Sequence, residues 1–226
     1  MPRVRQHHQQ QHLSLRRHRV AAFAATASVA IFVLLRTARF FSFGRMSAAS
    51  LSVLPCRVVT TVDSEEGEKA VLGAAKDIGA GQVKVEKITS FYWWKGLQSD
   101  SETRISFDAK AFDAAMKAVQ AVHSYDVPMI LCRRSEQGAH SMGTLRGDHG
   151  RLSQMGRSLV EKRLVACAQL VDVDAETSEL VVKTATSKIG DVERHLQASP
   201  FEWNFFAANE AYAKWVIDET ETSTVQ

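Results

Sequence analysis

Acids and lysines are missing from the first 57 residues of this 226-residue chain, which carry nine arginines (Arg3, Arg5, Arg16, Arg17, Arg19, Arg36, Arg39, Arg45 and Arg57). The first acid is Asp63. Nine of the 28 basic residues therefore sit in this segment, and the rest of the chain has 19 against 25 acids, a net of −6. An acidic body excludes the basic face that nucleic acid requires. Cysteine is scarce: Cys56, Cys132 and Cys167 are odd in number and widely spaced, with no CxxC knuckle and no disulfide framework. They read as small buried hydrophobes. No P-loop, GxGxxG, Ser/His/Asp pattern or paired-carboxylate motif occurs, so nothing points to an enzyme.

A long hydrophobic run is also missing. The longest uncharged stretch, Val20 to Leu35, has 16 residues, six of them alanine. A membrane-spanning helix needs about 20 apolar residues. Residues 1–50 are expected to be a leader: a secretory signal, a short signal anchor, or an organellar presequence. Arginine without lysine or acid favours the presequence and a mitochondrial destination. The His7–His12 run HHQQQH is expected to be disordered leader rather than a metal site. Met46 opens a second start, from which the product would be cytoplasmic.

The body alternates strand and helix signals. Arg57–Val62 reads as a buried β-branched strand. Ser64, with Glu65, Glu66 and Glu68 behind it, opens a helix to about Ile78. Val83–Trp94 reads as strand, Gly96–Asp100 as turn and Thr103–Phe107 as the returning strand. Phe112, Ala115, Met116, Val119 and Val122 form one helical stripe. Pro128 then forces an extended entry into Met129–Cys132. This is the β-α-β-β-α-β order of a split βαβ unit, an α+β class. Residues 133–152, rich in Gly, Arg, His and Ser, read as a linker. Ser153–Cys167 reads as an amphipathic helix, Cys167–Val173 and Leu180–Lys183 as short strands, and Ile189–Leu196 as a helix. Glu202–Phe206 reads as a strand and Ala207–Asp218 as a last helix. A second α-β-β-α-β-α unit without an opening strand is expected there.

Several strings resemble the CutA divalent-cation tolerance family: VVTTVDSEE at 58–66, ITSFYWWKG at 88–96, DSE at 100–102 and VHSYDVP at 122–128. Later strings are similar to other parts of it: SLVEKRLVAC at 158–167, VVKT at 181–184 and NEAYAKWV at 209–216. The resemblance implies ferredoxin-like units, CutA/PII-like, covering about 55–135 and 150–220. Gly81 and Asp108 stand where the family has a cysteine and a lysine, while the second half keeps Cys167 and Lys183. The expectation is a diverged tandem duplication; a single module with an inserted segment is the alternative.

The resemblance also implies a homotrimer built by edge-to-edge sheet contacts, and a role in copper or divalent-cation tolerance. Tyr92, Trp93 and Trp94 are consecutive, so in a strand they face both sides. Either another subunit covers the second face, or one tryptophan is simply exposed; the covered face is favoured. His123 is the candidate metal ligand, for copper or another divalent cation held weakly, since neutral imidazole suits such ions. It also fits a histidine favoured by a helix C-terminus. Relatives are thought to ligate copper through a strand-one cysteine and a histidine pair; Thr60 and Val122-His123 stand at those places. Glu161, Lys162 and Arg163 read as a solvated patch. The alternative role is an oligomeric interaction module that anchors a membrane-associated protein.

Overall fold

A computed structural model describes residues 55–134 and 137–221. The expected leader, 1–50, lies outside the described residues. The elements are β1 (Cys56–Val62), α1 (Glu65–Asp77), β2 (Gly81–Trp93), β3 (Leu97–Ala109), α2 (Phe112–Val122), β4 (Ile130–Arg134), β5 (His140–Gly147), α3 (His149–Glu161), β6 (Cys167–Asp172), β7 (Ser178–Ala185), α4 (Ile189–Leu196), β8 (Glu202–Ala208) and α5 (Glu210–Glu221). The β-α-β-β-α-β order occurs twice, through β4 and again from β5 to β8.

All eight strands share one antiparallel sheet in the order β1-β3-β2-β6-β7-β5-β8-β4, which closes into a barrel when β4 returns to β1. Each half alone has its fourth strand beside its first, then its third and second. Two seams join the halves. β2 meets β6 from Ile88↔Val171 to Tyr92↔Cys167, and β4 meets β8 from Leu131↔Ala208 to Arg134↔Phe205. Closure leaves few strand edges without a partner.

Strand side chains alternate, so one set faces the barrel interior and the other faces the helices. Outward Val58, Val62, Ile105 and Phe107 pack with Val71 of α1 and Val119 of α2. Outward Leu170, Leu180 and Val182 pack with Leu152 and Leu159 of α3 and Val192 of α4, and Phe91 crosses the seam to join them. Inward Leu131 and Phe206 pack with Tyr212 and Val216 of α5, so that helix plugs one end of the barrel. Asn209 anchors the plug by accepting from the Ile130 amide at 3.2 Å.

Four expectations need correction. The segment expected as a linker at 133–152 holds β5, which pairs with β7 from His140↔Ala185 to Gly147↔Ser178 and with β8 from Ser141 to Thr144. The second half therefore has an opening strand. Its glycines suggested a loop, but Gly143 is there because the Trp203 ring lies against it: an added Cβ would come 2.8 Å from Cζ3. The turn expected at 96–100 ends at Gly96, with Trp94 donating to the Gly96 carbonyl, and DSE belongs to β3. The helix expected to reach Cys167 stops at Glu161. Arg163 takes a left-handed φ of 59° and turns the chain. The Ala166 amide then donates to the Lys183 carbonyl, starting β6. Finally, the strands of the two expected ferredoxin-like units close together into one shared barrel.

Candidate functional site

His123 caps the C-terminus of α2 and reaches back to β1. Its Nε2 lies 3.0 Å from the Thr61 carbonyl and 3.2 Å from the Thr60 hydroxyl. Its Nδ1 accepts from the Tyr125 amide at 3.1 Å. A carbonyl only accepts and an amide N–H only donates, so Nε2 carries the proton and Nδ1 spends its lone pair. Burial pushes the imidazole pKa below its ordinary value, against the Thr61 carbonyl and the Asp63 charge, which push it up. The ring is thus neutral, as a ligand must be, but both nitrogens are engaged. No group of three His, Cys, Asp or Glu side chains suited to a metal ion exists among the described residues. The donors around His123 do not make a coordination shell for copper or zinc, which takes three or four protein ligands.

Tyr125, two residues on, donates its hydroxyl to Glu102 Oε1 at 3.0 Å, and Ser90 donates to Glu102 Oε2. Tyr92 donates to Asp100 in the same hairpin. The strings ITSFYWWKG, DSE and HSYDVP, separated by up to 35 residues, therefore meet in one hydrogen-bond chain. Burial raises the pKa values of both Glu102 and Tyr125. Sequence reasoning passed over Glu102 and Tyr125; their signal was that both belong to the quoted strings.

Of the three aromatics, Tyr92 points into the barrel. Trp93 points outward against the α3 core, with the Arg163 guanidinium 5.3 Å over its ring. All three are partly buried. Within the chain, both faces of this strand are thus partly covered. Arg163 also pairs with Glu219, so one member of the charged patch expected to be solvated is a packing residue.

The barrel interior holds a cavity of about 790 Å³. Its wall is rich in charge, and most of that charge is paired. Arg104 and Lys84 hold Glu86 at 2.9 and 2.7 Å, keeping its carboxyl below the ordinary range against the cost of burial. Arg146 lies 3.4 Å from Glu179, and Arg57 3.0 Å from Asp108. Lys183 is 1% exposed and donates to the Gln169 carbonyl oxygen. Burial pushes its pKa down.

The sequence model of the CutA1 divalent ion tolerance protein family matches residues 56–144. CutA1 from Oryza sativa is 30% identical over 39% of this chain and 85% of its own, with a TM-score of 0.34. The chain belongs to the CutA1 divalent ion tolerance family. The divalent cation tolerance protein Cut A1 from Thermus thermophilus is 29% identical, covering 38% of this chain and 87% of its own, with a TM-score of 0.34. The periplasmic divalent cation tolerance protein CutA from Archaeoglobus fulgidus is 25% identical over 38% and 87%, also at 0.34. A comparison with curated proteins finds no match. The CutA1 match ends inside β5, so the chain carries β6 to β8 and three helices beyond it.

Proposed function

We propose that this chain is a non-catalytic, self-associating binding protein that serves divalent-cation tolerance. The observation that carries this is the family match over residues 56–144, together with the convergence of its characteristic strings on the Ser90–Glu102–Tyr125 chain beside His123. Copper contact is proposed to be weak and centred on His123, because a metal must first displace the Tyr125 amide from Nδ1. Titrating the full chain with copper by calorimetry, with and without His123→Ala, tests this. Weak binding lost in the variant is expected. Tight binding that survives the substitution would move the site elsewhere.

Assembly is proposed to be a homotrimer, with the Tyr92–Trp94 strand near a subunit contact. β2 pairs with β6 only from Ile88 onward, which leaves the β6-facing edge of residues 81–87 without a strand partner among the described residues. Val83 and Val85, 47% and 41% exposed, lie on that stretch. An unpaired strand edge with exposed valines is a template for another chain. Light scattering that found a monomer at micromolar concentration would defeat the trimer. The same edge favours the runner-up, an interaction module that organises a membrane-associated partner. The repeated element order supports descent from a duplicated unit. The Arg-rich residues 1–57 support a mitochondrial address, which a reporter fused to that segment would check.

A further inference from the structure

We propose that the barrel interior is a binding site for a small organic polyanion, a molecule with two or more carboxylate or phosphate groups that Arg133 at the mouth and Lys183 at the floor grip together. This goes beyond the cation-tolerance reading and does not depend on it. The cavity, about 790 Å³, has the volume of a small-molecule pocket. α5 plugs the end where Tyr212 meets Cys167, the residue paired with Lys183, so the buried amine stands at the closed end. Arg133 and Arg146 are exposed and mark the open one.

The charge balance chooses the ligand. Six basic side chains line the cavity (Arg57, Lys84, Arg104, Arg133, Arg146 and Lys183) against the carboxylates of Glu86, Glu179 and Glu202. Counting Asp108, which neutralises Arg57 from beside the cavity, and leaving out Lys183, whose charged form burial disfavours, five cations still face four carboxylates. Arg133 and Lys183 have no carboxylate partner within salt-bridge distance among the described residues. A buried amine held by one amide oxygen is costly to keep. A bound anion supplies the missing partner and restores the charged form. The same excess repels a free metal cation. A duplex is too wide for such a cavity, which leaves a small anion. Val59, Leu131, Met142 and Val181 add apolar wall for the ligand's carbon frame.

The test is calorimetric titration of the full chain with two probes, citrate and pyrophosphate, at low and at physiological salt. Saturable binding at one per chain is expected for at least one probe, weakened about tenfold or more by Arg133→Gln and by Lys183→Met, as loss of a hydrogen bond to a charged group implies. Citrate alone marks a polycarboxylate ligand, and pyrophosphate alone a phosphorylated one. Circular dichroism checks that each variant is folded; if Lys183→Met is not, Arg133→Gln decides. No saturable binding of either probe, or binding that the folded variants leave unchanged, overturns the proposal. Either failure leaves the copper titration of His123 standing on its own.

Discussion

Gly143 gives the sharpest test of the barrel, because two descriptions of its segment predict opposite signs. In β5 it sits directly across from Trp203 of β8. A Cβ added there would lie 2.8 and 3.0 Å from the Trp203 ring atoms Cζ3 and Cε3, and 3.1 Å from Phe201 Cβ. Ring atoms that close to a Cβ must move. Trp203 is poorly placed to do so: its Nε1 donates to Glu193 at 3.2 Å and its ring lies 5.3 Å from that of Phe201. The φ of Gly143 is not positive, so alanine strains no backbone and the cost is steric. Overpacking of this kind costs about 1–3 kcal/mol. In a domain of this size that lowers Tm by roughly 3–9 °C. Were the segment a linker, Gly143→Ala would instead restrict the unfolded chain and add about 0.4–1 kcal/mol. Gly190 is the control. It lies inside α4 with nothing within 4 Å of an added Cβ, so Gly190→Ala gains about 0.5–1 kcal/mol of helix preference. Urea unfolding of wild type and both variants reads the result. A Gly143→Ala protein as stable as wild type, or more so, refutes the placement of β5.

Three further outcomes are expected. The depressed His123 pKa contributes stability that is fully present above its ordinary value of 6.5 and lost as pH falls through the lowered folded value; urea midpoints from pH 7.5 to 5 should drop more steeply in wild type than in His123→Gln. Glu102 works the other way, since its raised pKa gives stability present below 4.5 and lost as pH rises through the folded value. Glu102→Gln should therefore gain on wild type as pH climbs, and a constant difference from pH 4 to 8 would refute the buried carboxyl. Trp93→Ala removes a ring packed on the α3 core under Arg163, and should cost toward the low end of the ~3–5 kcal/mol typical of large aromatics, measured by denaturation.

The elements whose signals are local were legible in the sequence. Ser64 followed by three acids announces α1, and its hydroxyl accepts from the Gly67 amide as a cap should. The stripe from Phe112 to Val122 is α2. What failed was composition used as a proxy for conformation. Ser99, Asp100 and Ser101 look like a loop, yet they continue β3 because Tyr92 and Ser90 hold Asp100 and Glu102 across the hairpin. Gly143 looks like a loop residue, yet Trp203, 60 positions later, requires it. The hairpin partners lie eight and twelve residues away across the turn, and the Gly143 partner is far beyond any local window, so in both cases composition alone does not reveal the pairing.

The cavity was illegible for a related reason. Arg57, Arg104, Arg133, Arg146 and Lys183 sit on five strands, on the face opposite to the one that packs under the helices. Such two-faced patterning specifies an amphipathic strand but not what its polar face meets. In an open sheet with helices on one side, the polar face meets water, and every such charge reads as a solvated residue. Here the β2–β6 and β4–β8 seams wrap the polar faces around a shared interior. The same side chains become a cavity wall whose charges must be matched against one another. Local patterning predicts the faces, but only closure makes the unmatched charge of Lys183 and Arg133 a property of one enclosed space. A substitution that opens a seam should therefore abolish polyanion binding even with both cations intact, because they would then face water independently.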